Sequence, residues 1–119
     1  MKIAITSQGK DLDSQVDPRF GRAAYILIVD TADETVEVLD NSENVNAFKG
    51  AGIQAAATVG DSGVKVLLTG FCGPNAFKTL TAAGVKVGND ASGTVRDALV
   101  QFKKGNVSYA EDANVEGHW

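Results

Sequence analysis

Hydrophobic residues fall along this chain in short runs separated by glycine-rich turns. Val64, Val66, Leu67 and Leu68 form a nearly continuous apolar run, which suits a strand buried on both faces of a helix-covered sheet. Gly70-Phe71-Cys72-Gly73 interrupts the run. Pro74 follows at a first helical position, where a missing N–H costs nothing, and Ala76, Phe77, Leu80 and Ala83 share one helical stripe that Gly84 ends. The pattern predicts strand, glycine-rich turn and helix, with the single cysteine in the turn.

The rest of the chain reads by the same rules. Residues 2–6 (KIAIT) and 25–29 (YILIV) are expected strands, separated by a long irregular stretch over 7–23 of the kind that is usually functional or mobile. Residues 35–39 (TVEVL) alternate polar and apolar, as an edge strand should, and the short link before them predicts an antiparallel hairpin. A polar loop over 41–50 leads to a small-residue helix over 51–59, ended by Gly60 and weakened at Gly52 by ~1 kcal/mol relative to alanine. A short strand over 85–87 precedes a second glycine-rich turn, residues 88–93. Thr94 then caps a helix with Asp97 three residues on, and Val95, Ala98, Leu99 and Phe102 give the clearest helical spacing in the chain. Lys103 and Lys104 suit its C-terminal end, and Gly105 stops it.

These elements predict an α/β fold: a five-stranded mixed sheet of order 3-2-1-4-5, strand 2 antiparallel, with right-handed crossovers placing helices on both faces. Residues 1–109 form a single domain, and 110–119 a flexible acidic tail. Open α/β sheets bind ligands outside the carboxyl ends of their strands. Gln8-Gly9, Arg19-Phe20-Gly21-Arg22, Phe71-Cys72-Gly73 and residues 89–93, with Asn89 among them, are therefore expected to converge at one edge.

Composition narrows what that edge can do. At 119 residues with 44% hydrophobic content, the chain suits one soluble domain. No stretch approaches ~18 consecutive apolar residues, so no membrane span is expected. The N-terminal apolar run is too short for a signal segment. One cysteine makes no internal disulfide, which fits a reducing cytoplasm. The net charge of −4, much of it from Glu111, Asp112 and Glu116, argues against nucleic-acid binding.

The first and fourth strands carry no carboxylates, which speaks against two-metal phosphoryl chemistry on this strand order, shared with ribonuclease H. The phosphate-binding glycine fingerprints of Walker and dinucleotide sites are absent. The single histidine, His118, is next to last and leaves no catalytic pair in the core.

What remains favours anion binding. Arg19 and Arg22 flank Phe20-Gly21, and arginine presents fixed donors to anions. Helix starts after the glycine-rich turns add backbone N–H groups. Asn75, just inside the helix after Cys72-Gly73-Pro74, belongs to this set. The competing reading makes Asp17-Pro18-Arg19 a turn in which Arg19 pairs with Asp17. Cys72, before a helix, is expected to be partly exposed with thiolate character, the alternative being a small buried hydrophobe. One cysteine and one distant histidine do not make a closed metal site. Any metal should arrive as a preassembled anionic cluster, with Cys72 as its one candidate ligand. Phe71 sits in the turn and is a candidate contact. His118 and Trp119 are either a disordered tail or a lid.

Val16-Asp17-Pro18-Arg19-Phe20-Gly21-Arg22-Ala23 ahead of a tyrosine-containing strand, Gly50-Ala51-Gly52 opening a helix, and Gly73-Pro74-Asn75-Ala76 resemble the dinitrogenase iron–molybdenum cofactor biosynthesis family, from residue 2 to about 107. The resemblance implies a three-layer ribonuclease H-like fold without its catalytic carboxylates. It implies a cytoplasmic protein that binds or carries metal–sulfur cluster precursors and catalyses no reaction, with protein partners for cluster delivery. Within the family the chain is most similar to a carrier of a non-covalently held molybdenum–copper–sulfide cluster. The family pattern bears most directly on Arg19, Phe20, Gly21, Arg22 and the turn around Gly73. Two other readings stay open: a small-molecule or nucleotide-binding regulatory domain, and an enzyme using Cys72 as nucleophile or redox thiol.

Overall fold

Alternation along each strand sends successive side chains to opposite faces of a sheet, and two cores form accordingly. A computed structural model describes residues 1–42 and 50–110. Strands β1 (Lys2–Ser7), β2 (Tyr25–Asp30), β3 (Val36–Asp40), β4 (Val66–Leu68) and β5 (Lys86–Gly88) pair in the order β3-β2-β1-β4-β5. β2 is antiparallel to β1 and β3, whereas β4 runs parallel to β1 and β5. This is the order and polarity expected from the sequence. Helices α1 (Ala51–Asp61), α2 (Pro74–Ala82) and α3 (Val95–Lys103) complete the described fold.

Ala4, Ile26, Ile28, Leu67 and Val87 turn to one face and pack with Ala55, Ala56, Val59 of α1 and Ala76, Leu80 of α2. Ile3, Ile5, Leu27, Val29, Val66 and Leu68 turn to the other face and pack with Val95, Ala98 and Leu99 of α3. Thr94 caps α3 as expected: its side chain accepts from the Asp97 N–H at 3.0 Å, and the Asp97 carboxylate accepts from the Thr94 N–H at 3.0 Å.

Several boundaries shift. β4 begins at Val66 rather than Val64, although Val64 is buried in the core. α1 runs through Gly60 to Asp61, so Gly60 is not its stop. A Cβ there would lie 3.0 Å from the Ala83 Cβ, and one on Gly52 would lie 3.2 Å from the Ala76 Cβ. The α1–α2 seam is thus set by small residues at close approach. Gly88, expected in a turn, closes β5. The polar loop over 43–49, including Phe48, and the tail over 111–119, including His118 and Trp119, lie outside the described residues. Among the described residues no helix is long and apolar enough to cross a membrane.

The stretch over 7–23 is held in place by pairing rather than by regular structure. Ser7 bridges Val16, Gln15 bridges Thr94, and Arg19 bridges Phe71 in parallel. The Phe71 N–H donates to the Pro18 carbonyl at 2.8 Å, and the Phe20 N–H to the Phe71 carbonyl at 3.2 Å. Gly70 allows this approach: a Cβ would stand 2.6 Å from both the Cα and the carbonyl oxygen of Pro18. Gly70→Ala should therefore lower the unfolding free energy by about 1–3 kcal/mol, as backbone-limited overpacking does. The check is urea denaturation, and an unchanged midpoint would show that the loop does not pack on this turn.

Candidate functional site

Asp17 organises the carboxyl edge of the sheet. It is 2% exposed, and its carboxylate accepts the Arg19 N–H at 3.1 Å and the Ala24 N–H at 3.4 Å. The Arg19 Nε lies 3.5 Å from the same carboxylate, with 47% of the Arg19 side chain exposed. The turn reading of Asp17-Pro18-Arg19 is thus the one observed, and Arg19 still presents much of its surface to solvent. The Asp17 N–H donates to the Thr6 carbonyl at 3.0 Å, and the Thr6 hydroxyl donates to the Asp17 carbonyl at 2.6 Å. The hydroxyls of Thr6 and Thr69 lie 2.9 Å apart; the one O–H of Thr6 points at the Asp17 carbonyl, so Thr6 accepts from Thr69. The ends of β1 and β4 and the 7–23 stretch are joined in one buried network.

Buried Asn41, at the end of β3, donates to the carbonyls of Gly21 at 3.0 Å and Ala23 at 2.8 Å. Gly21, at φ 95°, presses on the first turn of α1: a Cβ there would meet the Gly52 Cα at 2.8 Å and N at 2.9 Å. Both its backbone conformation and its contact exclude a side chain.

The outcome is a cleft of about 60 Å³ lined by Phe20, by Gly50, Gly52 and Ile53 at the start of α1, and by Gly73, Pro74, Asn75 and Ala76 at the start of α2. The first turn of a helix has N–H groups with no intrahelical acceptor. The first in-helix bonds accepted by the caps come from Gln54 to Gly50 and from Phe77 to Gly73. Ala51, Gly52 and Ile53 of α1, and Asn75 and Ala76 of α2, precede those donors and carry the leading N–H groups. The starts of two helices, the positive ends of their dipoles, therefore line one cleft together with buried Phe20.

Of the expected residues, Phe20, Gly73 and Asn75 line this cleft. Arg19, Gly21 and half-buried Arg22 belong to the loop that carries Phe20, and Phe71 and Cys72 to the turn that pairs with it. Asn89 does not join them. The Asp90 N–H donates to the Gly70 carbonyl at 2.9 Å, so the backbones do meet at this edge. Asn89 instead lines another cavity, with Leu68 and Ala98 of the α3 face. The turn after β5 leads into α3, which packs on the opposite face, and the chain carries Asn89 across with it.

Cys72 is a correction. It is fully buried among the α1–α2 core residues, not partly exposed, and its Sγ lies 3.6 Å from the Gly73 carbonyl oxygen. Burial pushes the thiol pKa up to about 12, the reverse of thiolate character. Being next to a helix start does not lower a thiol pKa when the sulfur packs inward. Among the described residues no group of three or more His, Cys, Asp or Glu side chains could hold a metal ion.

Sequence reasoning missed Thr6, Thr69 and Asn41 as supports and the α1 start as a wall of the cleft. Gly50-Ala51-Gly52 was a legible signal for the last, since residues without bulky side chains at a helix start permit close backbone approach.

The profile of the family described as dinitrogenase iron–molybdenum cofactor matches residues 1–105. The apo form of the orange protein from Desulfovibrio gigas is 49% identical, with a TM-score of 0.92 and 96% of each chain covered. A NifB-like protein from Thermotoga, solved by NMR, is 42% identical, with a TM-score of 0.78 and 91% of each chain covered. A dinitrogenase-like protein from Methanocaldococcus jannaschii shares the fold at 18% identity and a TM-score of 0.71, covering 94% of this chain and 96% of that one. No curated protein sequence matches the chain.

Two outcomes are expected here. Asp17→Ala leaves the partly buried Arg19 and Ala24 N–H groups without their acceptor and should cost about 1–3 kcal/mol in urea unfolding. The unfolded chain releases the Cys72 proton near the ordinary value of 9.0, while the fold holds it to about 12. Stability should therefore fall as pH rises between those values, and Cys72→Ala should lack that component of the decline. Equal pH dependence in the two proteins would contradict the burial of the thiol.

Proposed function

Since the chain belongs to the dinitrogenase iron–molybdenum cofactor family, we propose that it is a non-enzymatic carrier of an anionic metal–sulfur cluster. The cluster is of the molybdenum–copper–sulfide or iron–molybdenum cofactor precursor type and is held mainly without covalent bonds. The coarser role, in carrying or building a metal cofactor, follows from the family itself. The finer reading is carried by one observation: the starts of α1 and α2 open on the same cleft, walled by Gly52, Gly73 and Ala76, so that backbone N–H groups face a ligand with little side-chain bulk between.

Such a site suits a soft, polyanionic guest that brings its own metal–sulfur bonds. The protein needs to supply partial positive charge, the ring of Phe20, and the arginine-bearing loop. A cleft of about 60 Å³ has room for roughly two waters. The cargo therefore rests across its mouth and can be handed to a protein partner without opening the core. Arg19 and Arg22 add charge at the rim, and Phe71 supports the loop through its pairing with Arg19. Cys72, buried and proton-bearing, is outside the holding set, and the same burial weakens the thiol-enzyme reading.

Reconstitution with tetrathiomolybdate and copper tests the proposal. Visible charge-transfer bands should co-elute with the protein on gel filtration. Arg19→Ala and Arg22→Ala should each weaken retention about two- to fivefold, as partly exposed charges do, and release the cluster at lower salt. Cys72→Ala should keep the full spectrum. Loss of the bands from unaltered protein during gel filtration, or full retention in both arginine variants, would count against this site.

A further inference from the structure

The sheet has two edges, and the chain treats them differently. At β5, Tyr109 bridges Gly88 and the Ala110 N–H donates to the Val87 carbonyl at 2.8 Å, so the segment after α3 runs along the outer side. At the other edge, β3 pairs with β2 over five consecutive positions and, among the described residues, with no other strand. The flanking bonds fix how β3 is turned. The Asp30 N–H donates to the Thr35 carbonyl at 3.0 Å, and the Asn41 N–H to the Ala24 carbonyl at 3.1 Å. Hydrogen-bonded pairs alternate along an antiparallel ladder, so in this register Glu37 and Leu39 also turn their peptide groups to β2. Val36, Val38 and Asp40 turn theirs outward, where no group among the described residues pairs with them.

Native proteins commonly blunt such an edge with lysine, proline or a bulge. β3 has none of these. Its register is continuous, Val38 is 38% exposed, and residues 23–48 contain no lysine, arginine or proline. They contain acids instead: Glu37 and Asp40 in the strand, and Asp30, Asp33 and Glu34 just before it. Among the described residues only Glu34 of these forms an ion pair, with Arg96 at 3.4 Å and Lys103 at 3.1 Å. A second copy paired on this edge would bring like charges together, which is unfavourable. The edge is thus open to a strand but not to its own kind. It also leads straight into Asn41, whose side chain holds the Gly21 and Ala23 carbonyls of the loop that carries Phe20.

We infer that the outer edge of β3 docks a partner protein that adds an extended, basic strand to the sheet. The added strand runs antiparallel, the more stable pairing per residue. Backbone pairing at Val36, Val38 and Asp40 supplies affinity, and the side chains supply the choice of partner. Directly opposed residues interact on the same face of a sheet. An antiparallel segment centred on Val38 meets Asp40, Leu39, Val38, Glu37 and Val36 in turn. Its complement reads basic, apolar, apolar, basic, apolar. Two opposite-charge pairs then pin the register, because a slip of one residue sets both cations against uncharged side chains. The docking itself does not depend on the cluster. That this partner receives the cargo rests on the carrier reading, and Asn41 joins the edge to the loop beside the cleft.

Amide NMR of the isotope-labelled, cluster-free full chain tests this by titration with the acetylated, amidated peptide Lys-Val-Val-Lys-Val. Saturable shifts should centre on residues 35–41. A peptide with proline as its central residue cannot donate to the Val38 carbonyl and should bind about tenfold more weakly. The reordered peptide Lys-Lys-Val-Val-Val and the acidic peptide Glu-Val-Val-Glu-Val should also bind several-fold more weakly, by about what cross-strand charge pairs contribute. Val38→Pro removes an outward N–H and spares the β2 ladder, so it should abolish the shifts with the fold retained. Should that variant not fold, Glu37→Lys decides: it should weaken the basic peptide and bind Lys-Val-Val-Glu-Val better. The inference is overturned if the basic peptide gives no saturable shifts, or if they centre elsewhere. It is equally overturned if the proline or reordered peptide binds as well, which would leave a diffuse charge patch, or if the chain self-associates through residues 35–41. Cluster retention should be unchanged in Val38→Pro. Bands lost from unaltered protein with peptide binding intact would sink the carrier reading alone, and the converse would sink the docking strand alone.

Discussion

A buried carboxylate with no regular secondary structure around it would ordinarily be costly. Asp17 is tolerated because it accepts backbone N–H groups from Arg19 and Ala24 and lies beside the Arg19 guanidinium, while its own peptide is gripped by Thr6. This network converts a long irregular stretch into a fixed lid over the ends of β1 and β4. It also fills the crevice where the strand order reverses, so the openings left for ligands lie to either side of it. One is the cleft between α1 and α2; the other is the cavity under α3.

The two openings differ in kind because they are built from different chemistry. The cleft is lined mainly by glycine, alanine, proline and one ring, so its electrostatics come from peptide dipoles whose charge cannot be titrated away. The α3 cavity is lined by carboxamides, a hydroxyl-bearing turn and aliphatic carbons, with a single acid. The single acid of the α3 cavity disfavours an anionic guest there, whereas the helix starts at the cleft favour one.

Cys72 shows how a correct local reading can mislead. Glycine, cysteine, glycine and proline before a helix do form the expected turn, and the helix does begin at Pro74. The sulfur nevertheless turns into the α1–α2 core, with Phe20, Ala55 and Ala76 in the same cluster. Sequence spacing located the backbone of this residue but not the direction of its side chain, and the direction reverses the expected shift in its acidity.

Element positions and the capped start of α3 were legible in the chain because each depends on short-range pattern: alternation in β3, the apolar run before Gly70, and the Thr94–Asp97 spacing; strand order and polarity then followed from the short β2–β3 link and the right-handed crossover rule. The pairing of the Pro18–Phe20 segment with Phe71 was foreseeable only as a meeting of strand ends. Three things were decided by tertiary structure alone: the roles of Thr6, Thr69 and Asn41, the approach of Gly21 to Gly52, and the passage of Asn89 to the α3 face. The physical reason is that most of these contacts join residues far apart in sequence, through buried hydrogen bonds of 2.6–3.0 Å and through an approach so close that a Cβ added to Gly21 would stand 2.8–2.9 Å from the Gly52 backbone. Local pattern names the residue types that can make such contacts, but only the packed sheet and helices choose which of them meet.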